Sequence, residues 1–218
     1  MDNIYINPYK TASPAPLRWA GNFISYVFHP LFIPVYVTAF LLFIHPYAFA
    51  GINHSEKVIR LLSVGFSLTI LPAFSVFLMK QLGFISSIKL RTQKERIIPY
   101  SAALIFYFWI WYVFKNQTDV PAYFVKFLLG SFLAVCVAWM CNIKWMISMH
   151  GTAMGGVVMF FLLQVLYNND DTGLYLAIAI LSAGLVATAR MIVSDHSKHE
   201  VYMGLIGGML AQLVAWYV

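Results

Sequence analysis

Residues 173–191 read GLYLAIAILSAGLVATARM, an apolar stretch whose single charged residue, Arg190, stands next to its end. A helix of roughly 20 apolar residues is long enough to cross the hydrocarbon core of a bilayer. Six further stretches have the same character: about 22–49, 58–80, 97–114, 122–141, 151–167 and 201–217. The pattern predicts an all-α, polytopic transmembrane bundle of six to seven spans, folded as one domain over residues 1–218.

The composition excludes an ordinary water-soluble fold. The chain is 61% hydrophobic and 10% charged, which is too few polar residues to cover a water-facing surface. A net charge of +6 would indicate nucleic acid in a soluble protein, but here the basic residues lie mainly between spans, where they bear on topology. We therefore expect membrane lipids, and no nucleic acid, as partners, and a multi-pass protein of the cell membrane, such as a bacterial inner membrane.

Prolines interrupt two of the apolar stretches. Pro30 and Pro34 lie in the first stretch and Pro72 in the second. Neighbouring helices can satisfy the backbone groups that a proline frees, so we expect kinks at these positions. The first stretch could instead be divided into two helices.

The first twenty residues are polar and a long apolar stretch follows, which does not fit a cleaved signal peptide.

Three polar segments stand at span ends: residues 89–96, 148–151 and 190–200. Ionisable residues are costly in a membrane protein, so clusters of them are functional-site hypotheses. Two candidate spans separate each segment from the next, which returns the chain to the same membrane face both times. The three segments can therefore converge.

In the first segment, Lys89 and Arg96 are seven residues apart, or two helical turns. On a helix they would project from one face and form an anion clamp. The alternative is a basic stretch beside the membrane that meets lipid head groups, and Arg91 and Lys94 fit that role.

In the second segment, His150 and Gly151 directly precede the apolar run from Thr152, which places them at a helix N-terminus. Backbone N–H groups at that end favour an anion. Gly151, Gly155 and Gly156 would admit either a ligand or another helix close to the backbone, and small residues at this spacing are more often helix-packing contacts.

In the third segment, His196 and Glu200 are four residues apart. If the last helix extends back to His196, the carboxylate could orient the imidazole and leave its other nitrogen as a nucleophile or base. The remaining histidines His29, His45 and His54 are interpreted as packed or interfacial residues.

Taken in order, these segments resemble the three motifs of the type 2 phosphatidic acid phosphatase superfamily, which includes vanadium haloperoxidases and bacterial lipid pyrophosphatases. The family pattern is K-x6-R-P, then P-S-G-H, then S-R-x5-H-x3-D. The matching residues are Lys89 and Arg96, Ser148 and His150, and Arg190 and His196. Many members continue with V-x-x-G-x-x-x-G, which this chain matches at Val201, Gly204 and Gly208.

The chain departs from the family pattern at five positions. The proline of the first motif is displaced to Pro99. Ile147 and Met149 replace the proline and glycine of the second motif, Ala189 replaces the serine of the third, and Glu200 stands where aspartate is usual. Glutamate keeps the charge on a longer arm, and Met149 is bulkier than glycine and would narrow a phosphate pocket. The resemblance, which spans residues 89–208, is to a divergent member.

The resemblance implies a lipid phosphatase acting on a phosphomonoester or pyrophosphate. His196 would attack phosphorus to give a phosphohistidine while Glu200 holds its other nitrogen. His150 would protonate the departing lipid alkoxide and then activate water. The phosphoryl oxygens would be held by Lys89, Arg96, Ser148, Gly151 and Arg190. Three cations do the work of a metal ion in this scheme, so we expect no metal and no cofactor.

Two other functions fit parts of the sequence. In one, His196, His199 and Glu200 are metal ligands of an intramembrane hydrolase, although no H-E-x-x-H arrangement is present. In the other, a non-catalytic carrier or binding protein derived from this family uses the basic span ends to bind lipid or anions.

With seven spans, ten of the fourteen Lys and Arg residues lie on the motif face. That excess predicts a cytoplasmic site, whereas many bacterial relatives act on the outer face.

Overall fold

The computed structural model describes residues 13–45, 47–88, 93–167, 172–193 and 197–218. Within these ranges the chain forms eight helices and no strand, so the all-α prediction is confirmed. The helices are α1 (Ala15–Val27), α2 (Ile33–Phe43), α3 (His54–Gln81), α4 (Gln93–Lys115), α5 (Ala122–Cys141), α6 (Met149–Tyr167), α7 (Gly173–Val193) and α8 (Lys198–Tyr217).

Five of the helices, α3 to α7, are long and apolar enough to cross a membrane. Their outward surfaces carry large apolar side chains, among them Ile105, Trp109 and Leu181, which are 67%, 59% and 73% exposed. Contiguous apolar surface of this extent is unfavourable in water and favourable against lipid. The other three helices differ, because α1 and α2 have 13 and 11 residues and α8 is less apolar.

The first apolar stretch is divided into two helices around Pro30, so the predicted kink was wrong there and the alternative of a divided stretch is confirmed. Helix α1 ends at Val27 and α2 begins at Ile33, with Pro34 in the first turn of α2. Proline has no N–H and disfavours helical geometry at the preceding residue, here His29. At Pro72 the helix α3 does continue, and a π-helical turn, Phe66–Ile70, directly precedes that proline.

Glycines allow α6 and α8 to pack in parallel at very close range. A Cβ atom at Gly155 would collide with the carbonyl oxygen of Leu205, and one at Gly208 would collide with that of Thr152. A Cβ atom at Gly151 would lie 2.7 Å from the carbonyl oxygen of Val201. The interpretation of these glycines as helix-packing residues is confirmed. Because the two helices start at the same end of the bundle, their N-termini lie side by side.

Candidate functional site

The described parts of the three polar segments lie at one end of the bundle, which we call the motif end. The backbone N–H of Ser148 donates to the carbonyl of Glu200 at 3.1 Å, which joins the second segment to the third. The side-chain amide of Asn142, in the turn before α6, donates to the carbonyl of Gln93 at 2.8 Å, which joins that turn to the start of α4.

Arg96 lies one helical turn before Tyr100 in α4 and interacts with its hydroxyl group. Tyr100 is buried in a small apolar cluster with Ile147, and Met149 packs against the same cluster. The guanidinium of Arg96 is therefore held on the side of α4 that faces the start of α6.

Two predicted site residues, Lys89 and His196, lie outside the described residues. Helix α8 begins at Lys198, and Ser197 before it is an N-cap in extended conformation (φ −71°, ψ 160°). The described part of α8 does not include residue 196, so the pairing of His196 with Glu200 and the helix face shared by His196 and His199 stay predictions.

Glu200 has a structural role that the sequence analysis missed. One oxygen of its carboxylate accepts from the backbone N–H of Ser197 at 3.0 Å, and its own N–H donates to the Ser197 hydroxyl at 3.2 Å. This reciprocal capping box stabilises the start of a helix, typically by about 1 kcal/mol for the cap residue. The S-x-x-E spacing at 197–200 was the signal that could have found it. The cap fixes Glu200 where its carbonyl meets Ser148.

Ser148 is fully buried and caps α6. Its hydroxyl oxygen accepts from the N–H of Gly151 at 3.4 Å, and its carbonyl accepts from the N–H and the hydroxyl of Thr152 at 2.9 and 3.1 Å. Serine before the first helical residue commonly satisfies such N–H groups. Ser148 and Gly151 thus have capping and packing contacts, and their phosphate-binding role stays a prediction.

His150 is the second residue of α6, so its predicted place at a helix N-terminus is confirmed. Its Nε2 atom lies 2.9 Å from the carbonyl oxygen of Ser25 in α1. A carbonyl can only accept, so Nε2 carries the hydrogen and donates it. In the neutral ring the lone pair is then on Nδ1, and proton transfer by His150 has to use Nδ1.

His29, in the break between α1 and α2, meets His150 directly. The two rings are edge to face, with centroids 5.5 Å apart and planes at 82°. The N–H of Leu31 donates to Nδ1 of His29 at 3.4 Å, so Nε2 carries the hydrogen when this ring is neutral. His29 lies outside the five candidate spans, and its burial and the positive charge of Arg190 hold its pKa below the ordinary value of 6.5.

Arg190 lies in the last turn of α7 and is half-buried. Its effect on the pKa of His29 shows that its charge acts on the region of the two histidines. Helix α1 lies across this end of α7, because Gly21 packs against Val193 and the carbonyl of Ala189. His29, His150 and Arg190 therefore lie near one another at the motif end, where α1 packs against α6 and α7.

His29 was interpreted from the sequence as a packed or interfacial residue, which its burial supports. Its contact with His150 was not predicted. The available signal was a histidine followed by proline inside an apolar stretch, since an ionisable residue at such a position is a functional hypothesis by default. Met149, the residue that replaces the glycine of the second motif, lines a small and mainly apolar cavity of about 40 Å³ with Pro30 and Thr152.

Comparison with protein families, with characterised proteins and with solved structures gave no match to this chain. The family resemblance therefore depends on the motif residues alone.

Proposed function

We propose that the protein is an integral membrane phosphatase that removes phosphate from a lipid phosphomonoester or pyrophosphate through a phosphohistidine intermediate on His196. One observation supports this most. His150 stands at the N-terminus of α6 with Nε2–H held by the Ser25 carbonyl, beside the charge of Arg190 and the backbone of Glu200.

The proposed reaction has two steps. His196 attacks phosphorus, the bond from phosphorus to the lipid oxygen breaks, and the Nδ1–H of protonated His150 passes to that oxygen. Neutral His150 then accepts a proton at Nδ1 from water, which attacks the phosphohistidine and releases inorganic phosphate. The Ser25 carbonyl accepts from Nε2–H of His150 in both steps. This hydrogen bond increases the basicity of the ring and so favours the protonated form that the first step needs.

Positive charge at the motif end holds the phosphoryl oxygens. We assign this role to Lys89, Arg96 and Arg190, with the N-terminal end of α6 adding its partial positive charge. Phosphoryl transfer depends mainly on positioning and on stabilising charge at these oxygens. Three cationic side chains can provide this, so the proposed reaction uses no divalent cation.

We also propose that α8 is a sixth span and that the short apolar helix α2, which follows His29, is a seventh, with α1 lying across the motif end before it. A helix of 20 residues is about 30 Å long. Helix α8 follows α6 from Val201 onwards, and its last turn meets Lys126 at the start of α5. Its polar Gln212 is buried, which explains why a spanning helix here has lower hydropathy. The site then lies at head-group level, where an acyl or prenyl chain can stay in the lipid of the cell membrane, in our proposal a bacterial inner membrane.

A non-catalytic protein that binds lipid or anions is the second candidate. It is favoured by the capping and packing contacts of Ser148 and Gly151 and by the departures at Met149 and Glu200. The metal-dependent hydrolase is less favoured, because the chain has no H-E-x-x-H arrangement and this interpretation leaves the basic residues unexplained.

Phosphate release by the purified protein separates these functions. The panel contains phosphatidic acid, phosphatidylglycerol phosphate, a polyprenyl pyrophosphate and a lipid A phosphate, each with and without EDTA. We expect turnover of at least one lipid and no effect of EDTA. Turnover that requires a divalent ion would contradict the metal-independent scheme, and binding without turnover of any of them would indicate the non-catalytic function.

A further inference from the structure

A second cavity lies at the opposite end of the bundle, where α4 ends and α5 begins. Its volume is about 300 Å³, and its lining includes Trp111, Lys115, Gln117, Val125, Lys126 and Leu129. One water molecule needs on the order of 10–15 Å³ of such space. The cavity is therefore large enough for a phosphate head group, and we call it the lysine cavity.

Two ammonium groups are held at the lysine cavity by aromatic side chains. Lys115 Nζ lies 4.9 Å from the ring centroid of Trp111. Lys126 Nζ lies 5.3 Å from the ring centroid of Trp216 and donates to the carbonyl of that residue. An ammonium has three N–H donors, so Lys126 can donate to a ligand as well.

The charge of the lysine cavity is positive. None of its described lining residues is acidic. The nearby acidic residue in the connection from α4 to α5, Asp119, forms an ion pair with Arg60. Ala122, the first residue of α5, and Val218, at the C-terminal end of α8, both line the cavity. The partial charges of these two helix ends are opposite, so the positive charge of the cavity comes from its two lysines.

The remaining walls of the lysine cavity are apolar. Val125 and Leu129 extend from it along α5, one of the candidate spans, and Trp111 belongs to the last turns of α4. Tryptophan and the ends of spanning helices mark the level of lipid head groups. A small soluble anion would leave the apolar wall unused, whereas a phospholipid would contact both parts.

We propose that the lysine cavity binds an anionic phospholipid, with its phosphate between Lys115 and Lys126 and an acyl chain along Val125 and Leu129. This site is at the other end of α4 from the proposed phosphatase site and does not depend on that function.

Quenching of tryptophan fluorescence by brominated phosphatidylglycerol tests the proposal on detergent-purified protein. We expect saturable quenching, weakened about fivefold by Lys115→Gln and about 25-fold by Lys115→Gln with Lys126→Gln, since a basic residue near anionic lipid contributes about that factor. Lys57→Gln, a change of a lysine at the same end but outside the cavity, should bind as the wild type does. Lys115→Gln alone avoids disturbing the contact of Lys126 with Trp216.

Three results would overturn the proposal. Brominated phosphatidylcholine could quench as strongly as phosphatidylglycerol, which would remove the preference for anionic lipid. Lys115→Gln and the double variant could both bind as the wild type does. Inorganic phosphate at the lipid concentration could displace the lipid, which would make the ligand a free anion.

Discussion

The two ends of the bundle carry different charge. Among the described residues, the opposite end has four basic residues, Lys57, Arg60, Lys115 and Lys126, and two acidic residues, Glu56 and Asp119, a net charge of +2. The other described charged residues lie towards the motif end and have a net charge of +5: Arg18, Lys80, Lys94, Arg96, Lys144, Arg190 and Lys198 against Glu95 and Glu200. The end that contains His150 is therefore the more positive of the two.

The contacts at the two ends differ as well. At the opposite end Arg60 pairs with Asp119, and the lysines Lys115 and Lys126 lie over tryptophan rings. At the motif end the histidines His29 and His150 are fixed by backbone groups and by each other. Ion pairs and aromatic contacts anchor a helix end, whereas oriented imidazoles beside an excess of cations suit an anionic substrate. This difference supports our proposal that the reaction takes place at the motif end.

Replacing one histidine at each end gives the largest expected contrast. We expect His150→Ala to lower the rate of phosphate release by about 10²- to 10⁴-fold, the usual contribution of a general acid and base. His54→Ala, at the exposed start of α3, should leave the rate unchanged. Similar rates for the two variants, measured with the same lipid phosphate, would remove His150 from the reaction.

Substitution of Arg190 should lower activity, whereas substitution of Arg60 should lower stability and leave activity unchanged. Loss of a group that stabilises developing negative charge lowers kcat by about 10²- to 10³-fold, which we expect for Arg190→Ala. Arg60→Ala should keep activity and lose about 1.5–3 kcal/mol of unfolding free energy, since the Arg60 side chain is only 12% exposed and forms a charged hydrogen bond with Asp119. An inactive Arg60→Ala protein with normal stability would contradict this division.

A substitution at a glycine in the contact between α6 and α8 should lower the free energy of unfolding more than one at a glycine with no neighbours. At Gly155 even an alanine Cβ would collide with the Leu205 carbonyl, so we expect Gly155→Ala to lose about 1–3 kcal/mol of unfolding free energy. Gly184→Ala in α7 is the matched control, because no described atom lies within 4 Å of its new Cβ. Equal unfolding midpoints in denaturant would show that the two helices are not in close contact.

The smallest expected effect is in the pH dependence of stability. The pKa of His29 is lowered in the folded protein, so between that pKa and 6.5 the unfolded chain binds more protons and stability rises with pH. The wild type should therefore lose stability as the pH falls below about 6.5, and His29→Gln should lose less. Arg190 and His150 face this group, and His54→Gln is the control at the opposite end. Identical pH profiles of all three proteins would rule out the effect.

Much of the fold could be predicted from hydropathy and residue type. Five of the seven apolar stretches correspond to long apolar helices, and the glycine spacing 151–155 correctly predicted helix packing. Pro30 was harder, because whether a proline kinks or breaks a helix depends on the neighbours that receive its freed backbone groups. Helix α8 was placed correctly as an element, but its start at Lys198 depends on the cap at Ser197.

The sequence suggested candidate residues for the site but not the contacts between distant parts of the chain. His150, Ser148 and Glu200 were proposed because each stands beside the end of an apolar stretch, and their roles in the reaction stay predictions. The contacts of His150 with Ser25 and His29 join positions more than 120 residues apart, and no local pattern encodes them. The capping box at 197–200 is formed by residues close in sequence, and its S-x-x-E spacing could have predicted it.

The central claim is that the motif end forms a covalent phosphoenzyme on His196. The most direct measurement incubates the protein with a lipid labelled at its phosphate, quenches it in alkali and locates the label by mass spectrometry. We predict an alkali-stable phosphohistidine at residue 196, absent from His196→Ala and retained in the neighbouring variant His199→Ala. Turnover without a labelled protein, or a label that persists in His196→Ala, would contradict the account.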